Sequence, residues 1–249
     1  MSGTYNPSLV LVSLLVAILA SFTALDMAGR LATTKGSTAR WWLAGGAVAM
    51  GLGIWSMHFI GMLAFKLPIP LGYDLAITGY SLAASVGASG YALWLVSREH
   101  LPFSRLFAGA VLMGLGIALM HYLGMAALKM QPGLAYDPVW FTLSIVIAVV
   151  AAGAALWIAF RLRGEQRHTL LLRGVASLVM GLAIIGMHYT GMAAAQFDAG
   201  AICGAAIGEG IDSKWLAVLV VVTTLATLGI ALIASVFDRQ MRARTGLLA

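Results

Sequence analysis

Apolar residues fill seven long runs along this chain, at residues 8–29, 41–65, 75–97, 105–130, 138–161, 170–197 and 215–237, with short polar intervals between them. A helix crosses the hydrocarbon core of a bilayer when about 20 consecutive residues are mainly apolar. Each run is long enough, so the pattern predicts seven transmembrane helices. The expected fold is all-α, an integral membrane bundle forming one domain over residues 1–249. The first run has no basic leader and ends at Asp26 and Arg30 rather than at a small-residue cleavage site. It is therefore expected to be an uncleaved first span.

Charge sharpens this picture. The chain is 61% hydrophobic and only 10% charged, where a soluble domain carries about 25% charged residues. The basic residues fall in alternate intervals: Arg30, Lys35 and Arg40, then Arg98 and Arg105, then Arg161, Arg163, Arg167 and Arg173, and finally Arg239, Arg242 and Arg244. The opposite side holds only Lys66, Lys129 and Lys214, together with Asp74, Asp137, Asp198, Glu209 and Asp212. The positive-inside rule places the basic side in the cytoplasm, with the N-terminus outside and the C-terminus inside. The net charge of +6 is thereby accounted for, and no nucleic-acid partner is expected. Most tryptophans fall near span ends, as an interfacial belt does. Trp55 lies deeper.

Spans two, four and six repeat one pattern: MGLGIWSMHFIGMLAFK from Met50, MGLGIALMHYLGMAALK from Met113 and MGLAIIGMHYTGMAAAQ from Met180. Ala24-Leu25, Ala92-Leu93 and Ala155-Leu156 echo one another in the odd spans. The chain thus reads as three two-helix repeats, about residues 8–66, 75–130 and 138–197, plus a seventh helix at about 215–237. Repeats of this kind build sites at their interfaces in membrane folds.

In each copy the histidine and the methionine four residues later share a helix face. The candidate set is His58, His121 and His188, with Met57, Met62, Met120, Met125, Met187 and Met192. Each histidine lies eight residues before Lys66, Lys129 or Gln196, about 12 Å inside the outer boundary at 1.5 Å per residue. An imidazole at that depth is costly and faces the bundle interior, where it serves function. Imidazole with thioether suits copper, Cu(I) above all. The bland alternative is methionine as core filler. Gly51, Gly61, Gly114, Gly124, Gly181 and Gly191 are read as helix-packing glycines.

These motifs resemble the MHYT domain family. Met120-His121-Tyr122 and Met187-His188-Tyr189-Thr190 match its motif, and Met57-His58-Phe59 departs from it by Phe for Tyr. The resemblance implies a sensor module of the bacterial inner membrane. Such a module would bind one or two copper ions through the motif and detect a diatomic gas (oxygen, carbon monoxide or nitric oxide) or redox state. It implies no enzymatic activity for the module itself. Family members are often fused to cytoplasmic output domains. Only about a dozen residues follow the seventh run, so a separate cytoplasmic signalling partner is expected. Small-residue faces would permit a homodimer. Two other functions fit the residues: a copper or soft-metal carrier or chaperone, and a haem or electron-transfer protein with two of the histidines as axial ligands.

Outside the motif, Asp26 is expected to pair with Arg30. Cys203, the single cysteine, has no intramolecular disulfide partner and reads as an unpaired loop or interface residue. His100 and His168 read as solvated loop residues. Lys66 and Lys129 are expected to snorkel to the outer surface. Asp74 and Asp137 follow these lysines by eight residues, which suggests repeated loop geometry.

Overall fold

The computed structural model describes residue 1 and residues 3–164, 169–208 and 210–246. Arg167, His168 and Glu209 lie outside the described residues, as do the side chains of Arg239, Met241, Arg242 and Arg244. Seven long helices are present among the described residues: α1 (Pro7–Thr33), α2 (Gly36–Ala64), α3 (Leu75–Val96), α4 (Phe103–Ala126), α5 (Pro138–Leu162), α6 (Thr169–Ala194) and α8 (Ser213–Gly246). A single helical turn, α7 (Gly204–Ile207), lies between α6 and α8. Six of the long helices are long and apolar enough to cross a membrane, which makes the chain a multi-pass membrane protein. The exception is α3. Its 22 residues span about 33 Å at 1.5 Å per residue, but serine, threonine and glycine recur along it.

Helices α1 to α6 form a closed ring in which each packs on the next and α6 returns to α1. Odd and even helices alternate in direction, so the ring has pseudo-threefold symmetry with one helix pair per repeat. The closest approaches repeat as well. A Cβ added at Gly51 would meet Val86 Cα at 2.6 Å, one at Gly114 would meet Val149 Cα at 2.6 Å, and one at Gly181 would meet Ile18 N at 3.0 Å. Each of these glycines lets an even helix touch the backbone of the following odd helix. Helix α8 lies outside the ring, against α2 and the edge of α1, and buries Leu216, Val220 and Thr224 at helical spacing.

The odd helices start the same way three times. Asn6, Asp74 and Asp137 are their N-caps, and each side chain accepts backbone N–H bonds from the first turn, satisfying donors that have no intrahelical partner. Their own backbone N–H groups donate to Ala64, Ala127 and Ala194, each bond 2.8 Å long, which ties the start of each odd helix to the end of its even partner. The repeated Asp74 and Asp137 of the sequence are therefore caps, with Asn6 as their third copy. Lys129 does not reach out alone; it forms an ion pair with Asp74.

An exclusively α-helical reading misses a layer at this end of the bundle. Among the described residues, eight two-residue strands make four antiparallel pairs there. In repeat one, β1 (Thr4–Tyr5) pairs with β2 (Phe65–Lys66), and in repeat three β5 (Ala135–Tyr136) pairs with β6 (Ala195–Gln196). Repeat two is opened by an insertion. Its β3 (Gly72–Tyr73) pairs with β8 (Ile211–Asp212) and its β4 (Met130–Gln131) with β7 (Ile202–Cys203). The segment around α7 thus wedges between β3 and β4. Cys203 is free and buried in this joint, and its thiol donates to Leu128 O at 3.1 Å. Two residues are too few for an alternating pattern to register in sequence.

At the opposite end, Asp26 pairs with Arg30 one turn away at 2.8 Å, as expected, and also with Arg173 of α6 at 3.1 Å. Asp26 and Arg30 are buried, so this cluster joins α1 to α6 inside the bundle. Arg163, at the end of α5, donates to Val96 O at 2.6 Å and to Glu99 O at 3.1 Å, closing the end of α3. His100 is exposed, as a loop histidine should be.

Candidate metal centre

The three motif histidines meet on the pseudo-threefold axis. His58 comes from α2, His121 from α4 and His188 from α6, at one depth because the even helices run parallel and the motif spacing repeats. All three are fully buried. His58 Nδ1 lies 3.1 Å from His188 Nδ1 and 3.1 Å from His121 Nδ1. The rings stand edge to face, with centroids 4.9, 5.0 and 5.2 Å apart. The result is a pinwheel in which Nδ1 atoms point inward and Nε2 atoms outward. None of the three Nε2 atoms has a hydrogen-bond partner. A neutral imidazole carries one N–H, so this cluster holds ring nitrogens that the protein alone leaves unsatisfied. Among the described residues it is a group able to hold a metal ion, and it contains no carboxylate or thiolate.

The residue after each histidine braces the pinwheel. Ring centroids of Phe59, Tyr122 and Tyr189 lie 4.7 to 4.8 Å from their neighbouring imidazoles. Tyr122 OH is 2.6 Å from Ser144 Oγ on α5, and Tyr189 OH is 3.2 Å from Ser13 Oγ on α1. Each serine gives its own proton to a carbonyl three residues back, Ser144 to Phe141 O at 2.8 Å and Ser13 to Val10 O at 2.7 Å. The tyrosines are therefore the donors. Repeat one has Phe59 and no hydroxyl. There Trp55 Nε1 donates to Ser81 Oγ at 3.0 Å, and Ser81 donates to Thr78 O at 2.7 Å. Trp55 packs against Phe59 with centroids 4.8 Å apart and the rings tilted by 49°, so the pair supplies what one tyrosine supplies elsewhere. Sequence reasoning missed Ser13, Ser81 and Ser144. Their signal was spacing, since they recur with the same offsets as Asn6, Asp74 and Asp137.

Met57, Met62, Met120, Met125, Met187 and Met192 are all buried in the surrounding core. Met50, Met113 and Met180 form a separate level, eight residues along their helices from the histidines, or about 12 Å. These three line two small apolar cavities of about 30 and 20 Å³, and Ala24 and Ala155 line both. The alanine echo in the odd helices therefore marks positions that face the axis. Gly61, Gly124 and Gly191, read from sequence as helix-packing residues, instead face imidazole rings.

Residues 1–41, 51–109, 114–172 and 181–246 match the family model of MHYT, described as a bacterial signalling protein N-terminal repeat. The chain is 65% identical over 247 residues to the bifunctional diguanylate cyclase/cyclic di-GMP phosphodiesterase MucR of Pseudomonas aeruginosa, covering 99% of this chain and 36% of that protein. It is 42% identical over 196 residues to the signaling protein YkoW of Bacillus subtilis, covering 78% of this chain and 24% of that protein. It is 44% identical over 193 residues to the cyclic di-GMP phosphodiesterase NbdA of P. aeruginosa, covering 77% of this chain and 24% of that protein. It therefore spans about a third of the length of MucR and a quarter of the other two. No solved structure matches it. Matches to one repeat model over most of its length, and a Met-His motif that the fold brings three times to one axis, make the chain a member of the MHYT family of bacterial signalling repeats.

Proposed function

We propose that this chain is the membrane-embedded sensing part of a bacterial inner-membrane signalling system. In this reading it holds copper among His58, His121 and His188, in the outer half of the bilayer, and reports a diatomic gas or a redox change to a cytoplasmic partner. The observation that carries the reading is the convergence of three Nδ1 atoms in a fully buried site. Three imidazoles around one ion at metal–nitrogen distances of about 2.0 Å would sit about 3.5 Å apart in a trigonal plane, close to the 3.1 Å found. Neutral nitrogen donors with no carboxylate favour a soft or borderline cation over calcium or magnesium. The buried methionines, Met57, Met62, Met120, Met125, Met187 and Met192, add polarizable sulfur around the site and supply candidate further ligands.

A bound Cu(I) would supply a soft, open coordination position and one-electron chemistry. The chain's own residues hold the nitrogens in place, exclude water and connect the site to the rest of the molecule. The tyrosine and tryptophan braces link each even helix to the next odd one. Helix α2, which carries His58, also carries α8, so a shift of α2 reaches the last helix of the chain. The N-terminus is placed outside and the basic ends of the helices in the cytoplasm on the arginine distribution. A sensor further requires a ligand that binds two arrangements of the bundle with different affinity. The role is one of binding and reporting, not turnover.

The haem reading loses support from the pinwheel. Ring centroids within 5.2 Å of one another leave no porphyrin-sized gap between two histidines. Metal analysis of the purified protein, beside the His58→Ala, His121→Ala, His188→Ala triple variant, tests the copper reading. About one or two coppers per chain in the parent and none in the variant are expected. Copper absent from both proteins sinks it. A loaded protein with unchanged spectra under oxygen, carbon monoxide and nitric oxide would leave a metal site without the gas-sensing role. Uptake of metal into vesicles would favour the carrier.

A further inference from the structure

The glycines of the motif fall into two classes. Gly51, Gly114 and Gly181 face the backbone of a neighbouring helix. Gly61, Gly124 and Gly191, three residues after each histidine, face something else. A Cβ on Gly124 would lie 2.1 Å from Nε2 of His58, one on Gly191 would lie 2.4 Å from Nε2 of His121, and one on Gly61 would lie 2.2 Å from Nε2 of His188. Contacts this short cannot exist, and the obstructing atom is in each case the tip of a stiff, buried ring. The pairing is cyclic, because each glycine seats the imidazole of the preceding repeat and repeat one seats that of repeat three.

We infer that Gly61, Gly124 and Gly191 are positioning residues whose bare backbone forms the slot for a neighbour's imidazole, fixing Nδ1 rather than Nε2 as the donor atom at the axis. This rests on the reading of the histidine trio as an ion site and names its donor atoms and what aims them. With Nε2 pressed into the slot, neither water nor an ion reaches that nitrogen. With an ion on the axis, the proton of each neutral ring would sit on Nε2, leaving the Nδ1 lone pairs to face the ion. A methyl group in the slot forces the ring to turn and carries Nδ1 away from its two partners.

The test uses the full chain in detergent with Cu(I) as the probe, in competition with a chelator. G124A, G191A and G61A are compared with the parent and with G186A. Gly186 lies on α6 five residues before Gly191, and a Cβ added there would meet nothing within 4 Å. The slot variants are expected to bind Cu(I) about 10- to 100-fold more weakly, the range for residues that orient metal ligands, and G186A to bind as the parent does. A second arm needs no metal. G124A is expected to lower the melting temperature, and adding His58→Ala is expected to recover it, because the methyl of alanine fits where the ring did not; adding His188→Ala is expected to leave it low. If G124A alone does not fold, recovery of a folded protein by His58→Ala carries the same information. Parent-like affinity in the slot variants overturns the inference, as does failure of His58→Ala to recover G124A. A parent that binds no Cu(I) defeats the copper reading instead, and the melting arm still decides whether the glycines seat the rings of the preceding repeat.

Discussion

At the level of the histidines the axis is closed: the ring of His58 makes 3.1 Å nitrogen contacts with both His121 and His188. About 12 Å along the even helices, the same axis passes between Met50, Met113 and Met180 and the alanines of the odd helices, where it leaves small apolar cavities. Both levels come from one repeated motif, yet one is tightly specified and the other slack. Polar atoms removed from water need partners at fixed geometry, and an error at one ring is felt by the other two. Apolar atoms need only contact, and methionine in particular fills irregular space with little directional demand. The difference separates a rigid donor set from a layer with room to shift.

Changes at the two levels should therefore have different signatures. Loss of a donor is the largest effect. Orienting residues already cost 10–100-fold in metal affinity, so His121→Ala should weaken Cu(I) binding by more than about 100-fold, as read by chelator competition. At the slack level, Met113→Ala should instead cost about 2–5 kcal/mol of stability by the general cost of deleting a buried long side chain, with Cu(I) affinity unchanged. Affinity falling in step with stability would show that the levels are one unit. The brace between them and the odd helices comes next: Tyr122→Phe should cost about 1 kcal/mol in thermal unfolding, and Trp55→Phe a similar amount if tryptophan stands in for the missing tyrosine. A Trp55→Phe protein as stable as the parent would show that repeat one has no brace.

The smallest effect lies at the strand-bearing end. The bond from Lys129 holds the Asp74 carboxyl below its ordinary value, helped by the backbone N–H of Ile77. A depressed carboxyl contributes stability above its unfolded pKa of about 3.9 and loses it as pH falls through the lowered folded value. Asp74→Asn should lower the melting temperature slightly at neutral pH, where the carboxylate contributes, and remove the further loss on acidification. A parent melting temperature flat across the acid range would contradict this.

The meeting of the three histidines at one level and their burial were legible in sequence because the motif recurs three times with matched spacing. The caps were visible as a spacing, but Asp74 and Asp137 acquired chemistry only when Asn6 joined them at the start of α1. The second partner of Asp26 was not legible. Arg173 lies 147 residues away, and one sequence carries no signal for a pair so distant. The two roles of the glycines were hidden for a similar reason, since spacing along a helix states which face a residue occupies but not whether a backbone or a ring lies opposite. The insertion around α7 also escaped notice, because its strands are two residues long and pair with repeat two rather than with one another.

The cyclic seating of the rings sets a threshold on copy number. With one repeat removed, a histidine would have no slot and a slot would have no histidine, so two repeats do not make two-thirds of a site. Three copies are the smallest number with which this geometry closes. By the same logic the ring has no intrinsic beginning: the wedge around α7 singles out repeat two and the attachment of α8 to α2 singles out repeat one, both from outside the pinwheel.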